Sequence, residues 1–247
     1  MKVLKLCTSD EFTSDVPDEQ RAYRVAERVI ADAAGEPVET ILKPIWPRAE
    51  LPAIIERWMM EHQPDLVLFV VSPFWMTFES VPLKLQRRFG RAGKAVGNLG
   101  TRTTRIPWLV TLRPYQFARR MAIRTIGGAY HFEPEYIADL TERCARVILR
   151  EEKAGLVIRG PLVALGRHGS SGTRRRAGLR RLETHRRLKE IASRLHAGYV
   201  GAEAEPYDER SLDAVHSTAV AHRQRGMMEG QALAEAWKAL HPSVDAR

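Results

Sequence analysis

Apolar positions along this chain fall into two rhythms, short continuous runs and longer stretches stepped by three and four. Val3 to Leu6 is a short run and predicts a first strand. Cys7 to Asp15 is polar and turn-like. Ser14 and Asp15 are candidate caps there, and Pro17 stands where a first helical residue would. Ala22, Val25, Ala26, Val29, Ile30 and Ala33 then mark an amphipathic helix, which Gly35 stops. Val38 to Leu42 reads as a second strand and Pro44 to Pro47 as a loop. Leu51, Ile54, Ile55, Trp58 and Met59 share one face of a second helix. After Pro64-Asp65 comes Leu66 to Ser72, apolar at nearly every position. A strand buried on both faces has that pattern, as at the centre of a parallel sheet covered by helices.

The second half continues the alternation. Ser80 to Arg91 predicts a helix, Gly90 to Gly100 a glycine-rich loop, and Ile106 to Leu112 a fourth strand. Gly127-Gly128 breaks the chain before a long helix over Glu133 to Lys153. Leu156 to Ile158, ahead of Gly160-Pro161, predicts a fifth strand. A polar loop at residues 166–172 precedes a basic helix from Thr173 to Leu195. Tyr199-Val200 is a last short strand, and Leu212 to Ala239 a closing helix. No repeat or linker divides the chain, so residues 1–247 are expected to form one domain. The expected class is α/β, flavodoxin-like, a three-layer α/β/α arrangement with a central parallel sheet. Ligands of such sheets sit at the carboxyl ends of strands, which points first to the loop from Cys7 to Ser14.

Composition narrows this little further. Hydrophobic residues are 44% and charged residues 28% of the chain, which argues against disorder and fibrous classes. No apolar run reaches the ~18 residues of a membrane span. The first residues hold too short an apolar core for a secretory signal, so a cytoplasmic location is expected. The two cysteines, Cys7 and Cys144, have no metal-ligand spacing, and a reducing compartment suits them. The net charge of +9 would attract anions without specifying one. Eight arginines lie in the basic helix, but Leu179, Leu182, Leu188, Ile191 and Leu195 keep helical spacing there. A helix packed on the sheet with solvated arginines fits better than specific nucleic-acid binding, which is not expected. No phosphate loop, no GxGxxG after a strand and no metal cluster occurs, so neither cofactor nor metal is expected.

Two segments carry candidate chemistry. Cys7-Thr8-Ser9 directly follows the first strand, and Asp213-Ala214-Val215-His216 precedes the last helix. A serine at a strand-to-helix turn can hold its hydroxyl clear of the sheet. A histidine can take its proton, and an aspartate can fix that histidine's tautomer. This order resembles the SGNH, or GDSL-like, hydrolase family. The family carries its serine in a Gly-Asp-Ser block after the first strand and an Asp-x-x-His block near the C-terminus. Pro64 to Val71 resembles the family's third strand as well. The resemblance implies a serine esterase or deacylase acting on a small ester or O-acyl substrate, with Ser9 as nucleophile, His216 as base and Asp213 as its orienter.

The chain departs from the family pattern in three blocks. Cys7-Thr8 stands for Gly-Asp. The glycine expected after the second strand falls in Ile45-Trp46-Pro47, and the asparagine after the third in Ser72-Pro73-Phe74-Trp75. In the family those residues complete an oxyanion hole, and losing one such donor typically costs ~10²–10³ in rate. Ser72 and Asn98 are candidate replacement donors, and His168 is a candidate visitor from the 166–172 loop. Trp46, Phe74, Trp75 and Phe78 line an acyl or ring pocket, or else pack the core. An alternative alignment puts Glu11 at the nucleophile position, and a degenerate, ligand-binding relative is the alternative function. Cys7 reads as a small buried residue and His222 as a surface one.

Overall fold

The structure, a computed structural model, describes residues 1–12, 16–77, 79–81, 83–90, 129–150, 154–161, 171–201 and 218–242, with isolated positions between 112 and 125. Its central sheet is built from β1 (Lys2–Cys7), β2 (Glu39–Pro44), β3 (Leu66–Val70), β6 (Gly155–Arg159) and β7 (Gly198–Val200). All pairings are parallel, in the order β2-β1-β3-β6-β7. This is the flavodoxin-like order, and it reverses direction between β1 and β3. Every residue of β3 and β6 is buried, as their unbroken apolar runs require.

Residue parity divides the sheet into two faces. Val3, Leu66, Leu68, Val70 and Val157 meet α1 (Ala22–Ala34) and α6 (Ala219–Leu240), through Ile30 and Leu233. Leu4, Leu6, Val67, Phe69, Leu156 and Ile158 meet α2 (Leu51–His62), α4 (Pro134–Ile148) and α5 (Ser171–Arg194). Gly35 ends α1 in the left-handed conformation at φ 71°, which a glycine adopts without Cβ strain. Helix α6 begins where the Thr218 hydroxyl accepts the Ala221 N–H at 3.3 Å.

Several expectations shift. Pro17 opens a 3-10 turn at Asp18–Gln20, and α1 starts later, at Ala22. The third strand stops at Val70, and a short helix, α3 (Pro73–Thr77), follows Ser72. Glu79–Ser80 (β4) pairs antiparallel with Ala129–Tyr130 (β5), two-residue strands too short to leave a pattern. Residues 83–90 are helical as expected. The strand expected over residues 106–112 lies outside the described residues, apart from Leu112. Leu179 and Leu182 are exposed, whereas Leu188, Ile191 and Ala192 are buried, so α5 packs inward only along its later turns. Helical spacing reveals a face but not how far along the helix its cover extends.

Candidate functional site

The candidate site lies at the carboxyl edge of the sheet, at the reversal between β1 and β3. β1 ends at Cys7, and a 3-10 turn spans Ser9–Phe12. Its backbone is closed by Glu11 N–H donating to Thr8 O at 3.3 Å. Ser9 is exposed while Glu11 is 3% exposed, so the hydroxyl and not the carboxylate faces out from this turn. Across the reversal, Ser72 follows β3 and its Oγ accepts the Phe74 N–H at 3.3 Å. Cys7 O accepts the Ile45 N–H at 2.9 Å, which ties the start of the next loop to the end of β1.

That loop presents Trp46. Its ring meets Phe132 edge-on with centroids 5.9 Å apart, His131 edge-on at 6.3 Å, and Phe74 tilted at 6.3 Å. Trp46 is 43% and Phe74 42% exposed. Burial first, then the Arg87 charge, pushes the His131 pKa below the usual imidazole range. Trp75 behaves differently. It is 3% exposed and packs within the core cluster, which corrects its assignment as a pocket residue. Arg180 of α5 braces this region from behind, donating to Met76 O, Phe132 O and Glu133 and lying over the Tyr130 ring. It points inward, against the expectation that this helix's arginines face solvent.

Beneath Ser9 lies a buried ion network. Lys5 Nζ donates to Glu11 Oε1 and to Glu229 Oε2, each at 2.7 Å. Arg159 Nη1 lies 3.1 Å from Glu229 Oε1, and Arg225 Nη1 2.5 Å from Asp10 Oδ2. Three cations and three carboxylates thus balance. Burial pulls the Lys5 pKa down, but Glu11 and Glu229 outweigh it and hold it above the ordinary lysine value. Burial likewise opposes ionisation of Glu229, but Lys5, Arg159 and Arg225 bring its pKa below the ordinary carboxyl value. Burial pushes the Cys7 thiol up to about 12, with Glu11 adding to the effect, so it is no nucleophile.

His222, expected at the surface, is fully buried. Its Nδ1 accepts the Ala22 N–H at 3.2 Å, which leaves the proton of the neutral ring on Nε2. Nε2 lies 3.9 Å from Asp10 Oδ2. Burial, then the Arg225 charge, lowers its pKa to about 4. Asp213, His216, Asn98, His168 and Phe78 lie outside the described residues. Among the described residues, no group of three acidic, histidine or cysteine side chains is placed to hold a metal, and no helix is long and apolar enough to cross a membrane.

Solved structures share this architecture along nearly the whole chain. A carbohydrate acetylesterase from Sinorhizobium meliloti is 13% identical, with a TM-score of 0.56 over 95% of this chain and 98% of its own. A putative arylesterase from Agrobacterium tumefaciens is 15% identical, with a TM-score of 0.53 over 97% and 99%. The M. smegmatis aryl esterase is 14% identical, with a TM-score of 0.52 over 97% and 99%. The chain shares the fold of these solved esterases. No family model matches the sequence, and no curated protein matches it.

Within this esterase fold, the ion network is what the sequence analysis missed. Two signals pointed to it. Lys5 interrupts the apolar run of β1, and Arg159 directly follows that of β6. In α6, His222, Arg225 and Glu229 recur at steps of three and four. Such a stripe of polar residues ordinarily marks a solvated face, but here α6 turns it toward the sheet.

Proposed function

We propose that this chain is a serine hydrolase that cleaves a small ester or O-acyl group. The observation that carries the reading is the exposed Ser9 on the turn after β1, at the reversal point of the esterase-type sheet. Chain length supports the rest. His216 precedes Ala219, where α6 begins, by three residue steps, at most ~11 Å of extended backbone. The first turns of α6 already touch the Ser9 turn through His222, Arg225 and Asp10.

Ser9 Oγ attacks the carbonyl carbon as His216 takes its proton, and Asp213 keeps His216 in the receiving tautomer. The oxyanion of the tetrahedral intermediate accepts the Ser9 N–H, with Ser72 and Asn98 as further donors. Collapse expels the alcohol, which takes the proton from His216. Water, activated by the same histidine, then frees the acid. Trp46, Phe74 and His131 offer an aromatic rim to the leaving group. The structural neighbours include an aryl esterase and a carbohydrate acetylesterase, and an aryl or sugar ring suits such a rim.

The test is hydrolysis of short-chain aryl esters by wild type, Ser9→Ala and His216→Ala. Turnover by wild type with losses of ~10³-fold or more in both variants upholds the reading. An inactive wild type, or a Ser9→Ala protein that matches it, overturns it. One observation favours a second reading, a binding protein without catalysis. The loops after β2 and β3 present the aromatic Trp46 and Phe74 where the family carries oxyanion donors. Saturable ester binding without turnover is its signature.

A further inference from the structure

A 3-10 turn of four residues is a weak platform for a nucleophile. The turn from Ser9 to Phe12 is tied to Thr8 before it by the Glu11 N–H, a bond that is long at 3.3 Å. Yet both residues after Ser9 are held by charge. Asp10 meets Arg225 of α6, and Glu11 meets Lys5 of β1, which in turn meets Glu229 of α6 and, through it, Arg159 of β6. Lys5, Glu11, Arg159, Arg225 and Glu229 have side chains at most 5% exposed. Burying that many charges is a poor route to stability alone, since apolar side chains of similar volume usually serve as well or better. Directional ion pairs do supply a fixed geometry. Three of the four pairs here join the Ser9 turn, β1 or β6 to one helix, the one that follows Asp213 and His216 in the chain, and the fourth, Lys5–Glu11, joins β1 to the turn.

We propose that Asp10 and Glu11 are positioning residues, whose ion pairs with Arg225 and with Lys5–Glu229 clamp the Ser9 turn to α6 and so fix the Ser9 hydroxyl at the carboxyl edge of the sheet. The catalytic part rests on the hydrolase reading above, and the clamp itself does not. Asp10 and Glu11 touch no substrate in this scheme. They act through the placement of Ser9, so their loss lowers kcat and leaves KM nearly unchanged.

The experiment compares wild type, Asp10→Asn and the double variant Asp10→Asn/Arg225→Gln. Three readouts are taken: aryl acetate kinetics, thermal unfolding, and hydrogen exchange at the amides of residues 9–12. The single variant takes the Asp10 carboxylate charge away from the Arg225 cation and loses stability. The double variant removes both charges and recovers stability. A clamp predicts that kcat stays ~10–100-fold low in the double variant, with KM within about twofold of wild type. It also predicts that exchange at residues 9–12 speeds up while the sheet is unchanged. If kcat and exchange return to wild type with stability, the pair is structural and the proposal falls. If wild type hydrolyses no ester, the hydrolase reading fails, and exchange alone decides: faster exchange confined to residues 9–12 upholds the clamp, and unchanged exchange overturns it.

Discussion

Glu229 of α6 accepts from Lys5 of β1 at 2.7 Å through one oxygen and from Arg159 of β6 at 3.1 Å through the other. One carboxylate thereby pairs with two cations from strands on either side of β3. The side chain is fully buried, so its loss leaves two charges with no water to solvate them.

Glu229→Ala is therefore expected to cost about 3–5 kcal/mol of folding stability, the range for breaking a buried pair. Urea unfolding measures it. The matched surface control is Glu190→Ala in α5, whose carboxylate pairs with Arg186 while both side chains are 58% exposed. Solvent screening leaves that pair with little to contribute. Comparable losses in the two variants would mean that water reaches Glu229.

His222 predicts how stability responds to acid. Its pKa falls to about 4 in the folded protein from an ordinary 6.5, because burial and then the Arg225 charge disfavour the imidazolium, against the weaker pull of Asp10 and Glu11. The unfolded chain therefore takes up this proton first as pH drops. The contribution is complete above about pH 6.5 and is lost on the way down to about pH 4, up to about 3 kcal/mol. Glu229, whose pKa is depressed below the ordinary 4.5, adds its own loss only at lower pH. His222→Asn keeps an acceptor for the Ala22 N–H and removes the titration. Its stability should slope less than that of wild type from pH 7 to pH 5, with His131 left to contribute a part. Equal slopes would show that His222 does not carry the response.

The fold was legible because its signals are local and redundant. The apolar run of β3, the stepped residues of α1 and the Gly35 stop each follow from period and backbone chemistry, and the parallel order follows from their alternation. The position of Ser9, on the turn after β1, was legible for the same reason, since a strand end can be read from one short segment. The clamp was not legible. Lys5 and Glu229 stand 224 positions apart, and each alone is an ordinary charged residue. Only the face on which α6 lands turns them into partners. His222 was misread on the same ground, because a histidine in a polar stripe is ordinarily solvated. Trp75 and Phe74 differ by one position, but the first turn of α3 sends one to the core and the other to the surface.

That landing of α6 depends on Gly226. A Cβ built there would sit 2.5 Å from Ala22 O and 2.5 Å from Val25 Cβ, both on α1. At Gly230 the obstacle would be Val29 Cβ, at 2.7 Å. The two helices therefore touch backbone to backbone, and His222 can reach the Ala22 N–H. Ordinarily, replacing a helix glycine with alanine gains up to about 1 kcal/mol through backbone entropy. Here the methyl group must push α6 off α1, at about 1–3 kcal/mol for overpacking, and the same displacement lengthens the Ala22–His222 and Asp10–Arg225 contacts. Gly226→Ala should thus lose net stability. Met227→Ala, at a neighbouring exposed position, should leave it nearly unchanged. Thermal unfolding separates the two. A Gly226→Ala protein as stable as wild type would mean that α6 can shift on α1 without disturbing the charges beneath Ser9, and the close helix contact would then be incidental to the site.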